Sequence, residues 1–241
     1  MIDVNELLRD VDAVLFDMDG TLIDSLWVWG EVDVEYLERY QIVEDPEVYQ
    51  KAISGMSFKQ VAELTKERYN LPLSVPEIMD EWNAMAEQKY RDEVPFKPGA
   101  EAFLREVKRR GIKMGIGTSN SRHLVEMISP RLELDRYIDV VITGDEVHNG
   151  KPEPDVYLRG AEELGAAPEH CLVFEDVPHG ITAAHRAGMK ACAVYDDNTA
   201  YCDGEKRKNS DYYIRDYNDI IGLGNTYEEN TKGTIRLYRI S

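Results

Sequence analysis

Apolar residues follow two spacings along this chain, and the points where one gives way to the other divide it into elements. Val11-Asp-Ala-Val-Leu-Phe16 is almost continuously apolar, the pattern of a strand buried on both faces of a parallel sheet. From 26 to 40 the period lengthens. Trp29, Val32, Tyr36 and Tyr40 recur at three and four residues, which predicts one face of a helix. Ser57-Phe-Lys-Gln60 matches a capping box and predicts a helix with Phe58, Val61, Ala62, Thr65 and Tyr69 on one side. A second box, Ser74-Val-Pro-Glu77, opens a helix that aligns Ile78, Trp82, Met85 and Lys89. Residues 25–94 therefore read as helices alone, a lid inserted behind the first strand.

Pro95 and the Pro98-Gly99 turn mark a return to alternating elements. A helix through Phe103, Leu104 and Val107 stops at Gly111. Strands are predicted at 112–118, 140–143, 171–174, 190–195 and 212–214, with helices at 121–128, from Pro154 to Leu164, and at 178–187. This order predicts an α/β fold with a parallel sheet covered on both faces. The tail from Gly222 is polar until Thr234. Ile235, Leu237 and Tyr238 hint at a short strand there, with disorder as the rival reading.

Composition changes this picture little. The 241 residues suit one α/β domain with a large insertion, or two small domains. Lysine plus arginine total 28 against 46 acids, a formal charge of −18, which disfavours nucleic acid and anionic membranes as partners. Lys206-Arg207-Lys208 is the densest basic run and reads as a solvated loop. Cys171, Cys192 and Cys202 are odd in number and lack CxxC spacing, so neither a disulfide framework nor a thiolate zinc site is expected. No run approaches membrane-spanning length, and a cytoplasmic location is expected.

The chemistry lies where strands end. In a parallel sheet all carboxyl ends share one edge, where ligands bind. At those ends stand Asp17 and Asp19, Thr118-Ser119-Asn120, Lys151 one loop beyond the third strand, and Glu175-Asp176. Each has a duller explanation: a polar turn, a helix cap, an exposed loop charge, a second cap. Together they are the parts that hold Mg²⁺ and a phosphoryl group. A carboxylate nucleophile at Asp17 gives an aspartyl-phosphate. Mg²⁺ and Lys151 neutralise the approaching anion, while the Thr118 hydroxyl and backbone N–H groups of 118–120 take its remaining oxygens. Asp19 is placed to protonate the leaving alcohol and then deprotonate water. Gly20 lets the chain turn beside the pair.

Asp17-Met-Asp19-Gly20-Thr21, Thr118-Ser119-Asn120, Lys151-Pro-Glu-Pro-Asp155 and Phe174-Glu175-Asp176 resemble, in order, the four motifs of the haloacid dehalogenase superfamily. The likeness is to its phosphatase and β-phosphoglucomutase-like branch and covers roughly residues 10–215. It implies a Rossmann-like core at 1–24 and 95–221, a helical cap at 25–94, and a C-terminal tail at 222–241. It implies Asp17 as nucleophile and metal ligand, and Asp19 as general acid/base with its carbonyl on the metal. Asp176 becomes a metal carboxylate and Glu175 an acid close to the metal. Phosphate would be bound by Thr118, Ser119, Asn120 and Lys151. Gly55 and Ser57 match the cap loop that closes over the site, and Asp24 the acid anchoring the loop behind the nucleophile.

Two positions depart from the branch. Its mutases carry a His where this chain has Trp29, and an Arg after the cap-loop Ser where it has Phe58. An Arg suits the second phosphate of a mutase intermediate. Its loss points to a Mg²⁺-dependent hydrolase of a small phosphorylated metabolite, although Trp29 and Phe58 read equally as cap core. A β-phosphoglucomutase-type phosphotransferase is the alternative, and a non-catalytic phosphate-binding protein is the reading from another class. Dehalogenases and phosphonatases of this fold lack the second acid, which Asp19 supplies here. A monomer or weak homodimer is expected. A calcium loop fails because Leu22 and Val28 stand where Gly and Glu are needed, and Gly150-Lys151 precedes Pro, so it is no nucleotide P-loop.

Overall fold

A computed structural model of the chain describes residues 1–53 and 58–222. The chain starts with β1 (Ile2–Asp3) and the single turn α1 (Val4–Leu7), then enters β2 (Ala13–Phe16). Four helices follow: α2 (Trp27–Arg39), α3 (Pro46–Ile53), α4 (Phe58–Tyr69) and α5 (Val75–Asp92). The remainder alternates through α6 (Ala100–Arg109), β3 (Lys113–Thr118), α7 (Arg122–Leu132), β4 (Val140–Thr143), α8 (Asp155–Leu164), β5 (Cys171–Glu175), α9 (Pro178–Arg186) and β6 (Lys190–Val194). It closes with α10 (Asp203–Asn209), β7 (Tyr212–Ile214) and β8 (Ile220–Ile221).

The main sheet is parallel throughout, in the order β4-β3-β2-β5-β6-β7. Register sets the functional edge. Phe16 stands opposite Ile116 on one side and Phe174 on the other, so the residues just beyond come out side by side. Alternate strand residues point to opposite faces. Val14, Phe16, Ile116 and Phe174 join α6 and α7 in one apolar cluster, while Leu15, Val173, Ala191 and Ala193 join α8 and α9 in the other. The Phe16 and Phe174 rings stack at 5.3 Å and Phe103 meets Phe16 edge-on at 6.2 Å, so the strands bearing the acids are pinned by aromatic contacts beneath them.

The helical block begins and ends on two connections that run side by side. Ile23 pairs with Phe96, Asp24 N–H donates to the Pro95 carbonyl, and Lys97 N–H donates to the Leu22 carbonyl. The Ser74 box is present: Ser74 Oγ accepts from Glu77 N–H and the Glu77 carboxylate accepts from Ser74 N–H at 2.7 Å. Ser57, the first residue of the other box, lies outside the described residues, as do 223–241 with the strand expected near 235–238. Among the described residues no helix is long and apolar enough to cross a membrane.

Two expectations are corrected, and one stretch gains elements for which no expectation was made. The helix expected to stop at 128 runs on through Pro130 to Leu132, where Leu132 and Leu134 pack on the core. The first ten residues form β1 and α1, with β1 paired to β8. Lys206-Arg207-Lys208 is helical, in α10, and Lys206 is fully buried. Its ammonium donates to the Val194 carbonyl at 3.2 Å and to Thr199 Oγ1 at 3.1 Å, above the Tyr195 ring. A charge run hid an internal strut, because the sequence cannot show which of three adjacent cations turns inward. Lys206→Ala should therefore lower unfolding stability by about 1–3 kcal/mol by leaving two buried acceptors short of a donor. Lys208→Ala, on the exposed side of the helix, should stay within about 0.5 kcal/mol. Urea unfolding of both variants checks the contrast.

Candidate active site

Strand ends deliver Asp17, Thr118 and Glu175, and the loops beyond them deliver Asp19, Lys151 and Asp176. Asp17 follows β2, and its N–H still donates to the Phe174 carbonyl at 2.9 Å, so sheet pairing holds the backbone right up to the carboxylate. Gly20 has φ +78°, and a Cβ there would meet Asp176 Oδ2 at 2.7 Å, so the turn needs glycine for both shape and space. Thr21, one residue on, donates its hydroxyl to Asp176 Oδ1 at 3.0 Å. Asp19 is gripped by three donors. Ser25 Oγ at 2.7 Å and Tyr90 OH at 2.5 Å reach Oδ1, and Asn120 Nδ2 at 3.0 Å reaches Oδ2.

At the end of β3, Thr118 Oγ1 accepts from Asn120 N–H at 3.0 Å. The cap of α7 is Ser121, not a residue of 118–120, which leaves that tripeptide to line the cavity. Lys151, buried in the loop after β4, donates to Asp17 Oδ1 at 2.5 Å and to Glu175 Oε1 at 2.7 Å. Glu175 ends β5 with no exposed surface. Its Oε1 also accepts from Tyr157 OH at 2.7 Å, and its Oε2 from Asp176 N–H at 3.1 Å. The carboxylate fills the space where a Cβ on Gly180 would stand, in the first turn of α9.

The electrostatics are unbalanced. Ligand atoms of Asp17, Glu175 and Asp176 lie within 4.8 Å of one another, with Lys151 the cation paired among them. Burial, with the neighbouring Glu175 and Asp176 charges, pushes the Asp17 carboxyl well above the usual range despite Lys151. Burial and Glu175 raise Asp176 to about 7, against the opposing pull of Thr21 and Lys206. Burial alone would lower Lys151, but the Asp17 and Glu175 charges outweigh it and hold it above the ordinary lysine value. Asp176 Oδ2 is buried without a hydrogen-bond partner among the described residues. An orphaned carboxylate oxygen beside a second carboxylate, in an all-oxygen donor set, fits a hard divalent cation.

These groups open onto a cavity of about 330 Å³. Asp17, Asp19, Thr118, Ser119, Asn120, Lys151 and Asp176 line it, and so does Trp29 from α2. Glu175 lies beneath, in contact with Lys151. Gly55 and Ser57 lie outside the described residues, as does the side chain of Phe58, which opens α4. Asp24 reaches Lys97 only at 3.9 Å, and the close partner of Lys97 is the buried Asp196 at 2.6 Å. Sequence reasoning missed Tyr90, His179 and Thr199 on the cavity wall, and Tyr157 below it. Tyr90 adjoins Lys89 of the helical stripe, and its neighbourhood reads as packing. Tyr157 carried one signal: it lies two residues beyond the Lys151–Asp155 motif.

Comparison with known proteins adds an independent line. Residues 14–194 match the model of the family described as haloacid dehalogenase-like hydrolase. A protein of Drosophila melanogaster named "Probable pseudouridine-5'-phosphatase" is 34% identical over 198 residues, covering 80% of this chain and 85% of its own length. The phosphorylated carbohydrates phosphatase of Thermotoga maritima is 31% identical over 181 residues, covering 75% of this chain and 83% of its own. Among solved structures, a HAD hydrolase of family IA, variant 3, from Entamoeba histolytica superimposes with a TM-score of 0.71 at 25% identity, over 87% of this chain and 95% of that one. By family match and by relatives alike, the chain belongs to the haloacid dehalogenase-like hydrolases.

Proposed function

We propose that the enzyme is a Mg²⁺-dependent phosphatase that hydrolyses a small phosphorylated metabolite, a sugar phosphate or similar, through an aspartyl-phosphate on Asp17. The observation that carries this reading is the meeting of Asp17, Asp19, Thr118, Lys151 and Asp176 on one cavity at the carboxyl edge of the sheet. The named phosphatases among its relatives support it.

Asp17 attacks phosphorus while Lys151, already within hydrogen-bond reach of it, balances charge on the phosphoryl oxygens. Thr118 Oγ1 accepts one backbone N–H, which leaves its own proton for a phosphoryl oxygen. Asp17 and Asp176, with the Asp19 carbonyl, would hold the metal and Glu175 would sit close to it. When bound, Mg²⁺ supplies Lewis-acid neutralisation of the transferring group. Asp19 moves protons, first to the leaving alcohol and then from water. Its three present donors, two on Oδ1 and one on Oδ2, leave a lone pair on Oδ2 for that proton. One of them, Tyr90, belongs to α5, in the helical block 25–94 that we assign as the cap. A closed cap excludes water from the phosphoryl transfer.

The alternative, a phosphotransferase of the β-phosphoglucomutase type, needs a second phosphate site. Among the described residues lining the cavity, Lys151 is the one lysine or arginine, which favours hydrolysis. Incubation with β-glucose 1-phosphate and a bisphosphate activator separates the two: efficient formation of glucose 6-phosphate would displace the hydrolase reading.

A panel of sugar phosphates, nucleotides and phosphoglycolate, assayed with Mg²⁺, tests the function directly. Asp17→Asn should lower turnover by at least ~10³-fold with its circular dichroism unchanged, since the nucleophile is gone and the fold is not. Asp19→Asn should lose about 10²–10⁴-fold in turnover yet still form phosphoenzyme with an activated ester, detected by intact-mass measurement. Chelation should abolish activity, and Mg²⁺ should raise the melting temperature of the wild type. Asp176→Asn should melt higher than the metal-free wild type, because one buried repulsive charge is removed, and should no longer respond to Mg²⁺.

A further inference from the structure

Beneath the cavity lies a side chain that the reaction scheme above leaves unused. Tyr157 is in the first turn of α8 and is completely buried. Its hydroxyl donates to Glu175 Oε1 at 2.7 Å, the same oxygen that accepts from Lys151 at 2.7 Å. Its ring lies below the Lys151 ammonium, 4.9 Å from ring centre to nitrogen. The ring also packs against β3 one residue before Thr118: a Cβ on Gly117 would come within 3.0 Å of it. One side chain thus touches three of the segments that build the site.

The contacts have a direction. The Tyr157 hydroxyl donates to Glu175, since a carboxylate has only acceptors to offer. Glu175 Oε2 is already taken by the Asp176 and Val177 N–H groups. Oε1 therefore divides its charge between Tyr157 and Lys151. Without the hydroxyl, Lys151 would be the sole remaining partner of Oε1 among the described residues and would be drawn toward Glu175. Asp17 and Glu175 share that one ammonium, so a stronger hold by Glu175 weakens what it offers Asp17 and the phosphoryl group. The face of the Tyr157 ring lies against the same ammonium that reaches Asp17.

Resting on the phosphatase reading, we infer that Tyr157 is a positioning residue: by sharing Glu175 with Lys151 it keeps the lysine directed at the attacked phosphoryl group. Lysine stabilises the charge that develops in transfer, so the effect falls on kcat more than on KM.

The test is Tyr157→Phe, which keeps the ring and removes the hydroxyl, in both the wild-type and the Glu175→Gln backgrounds. Wild-type turnover of p-nitrophenyl phosphate with Mg²⁺ is measured first. Its absence would overturn the phosphatase reading, and this inference with it, before any variant is compared. With turnover established, Tyr157→Phe should lose about tenfold in kcat with KM changed less than about threefold, the size expected for one hydrogen bond to a charged group. Inhibition by orthovanadate, which mimics five-coordinate phosphorus, should weaken in step with kcat/KM, whereas inhibition by inorganic phosphate should change less than about threefold. In the Glu175→Gln background the same substitution should cost less than about twofold, because the charge it shares is no longer there. A kcat within about twofold of wild type overturns the inference. So does an equal penalty in both backgrounds, or a Phe variant that does not fold, since the hydroxyl would then serve the fold alone.

Discussion

Three carboxylates held within 4.8 Å of one another, with one lysine paired among them, are the constraint around which the rest of the molecule is arranged. Like charges at that distance raise each other's proton affinity and would move apart if the backbone let them. It does not let them. Asp17 is fixed by sheet pairing to Phe174, and Glu175 ends the strand that supplies that pairing. The stacked rings of Phe16 and Phe174 sit under both, so separating the acids means breaking close-packed aromatic contacts. The apolar core thus holds an arrangement that its polar contents resist. Local donors relieve part of the strain: Tyr157 and two backbone N–H groups on Glu175, Thr21 on Asp176. Asp176 Oδ2 keeps no such relief among the described residues, and it marks where a cation has most to gain.

A second tier of buried charge lies along the next strand. Lys97, in the segment returning from the helical block, pairs with Asp196 just after β6, both largely buried. Burial alone would raise Asp196, but the Lys97 partner and the Asn198 N–H hold it below the usual carboxylate range. Asp196 also caps the short helical turn that carries Thr199 to the cavity wall, and Thr199 in turn accepts from Lys206. The wall is therefore built on internal ion pairs and hydrogen bonds. Breaking a buried pair by removing one partner leaves an uncompensated charge, so each such residue is more sensitive to substitution than its distance from the phosphate site suggests.

How much of this was legible in the sequence depends on whether a residue announces itself by position or by partner. Asp17 and Glu175 follow apolar runs, and a charge straight after a buried strand is visible in any window. Ser74 and Glu77 show themselves by spacing. Lys151 became meaningful through its company at the strand ends, and then through its motif, since a lysine between Gly and Pro has no periodicity to be read. Tyr157 and Tyr90 were hidden because an aromatic at helical spacing reads as packing, and both are indeed packed. Only coordinates reveal that each hydroxyl ends on a carboxylate of the candidate site. Lys206 was misread for the opposite reason: charge implied solvent, whereas α10 turns that one side chain inward. Two-residue strands such as β1 and β8 have too few positions to carry a pattern, and pairing defines them.

A chain with a formal charge of −18 that accepts an anionic substrate must do so through a local field rather than through its net charge. Exposed acids are screened beyond about 8–10 Å at ordinary ionic strength, so most of that excess does not reach the cavity. Buried charges are screened far less, and here the balance is set by Asp17, Glu175 and Asp176 against Lys151, a negative site facing a negative ligand. On the proposed chemistry, a divalent cation reverses that balance where the phosphoryl group must sit. Metal and phosphoester would then not bind independently: the cation, held by Asp17 and Asp176, would remove the repulsion that opposes the substrate. Linkage makes the benefit mutual, each raising the other's affinity by the same factor. On that chemistry, the acidic cluster that opposes an anion in the metal-free site is also what would make occupancy by metal and substrate cooperative.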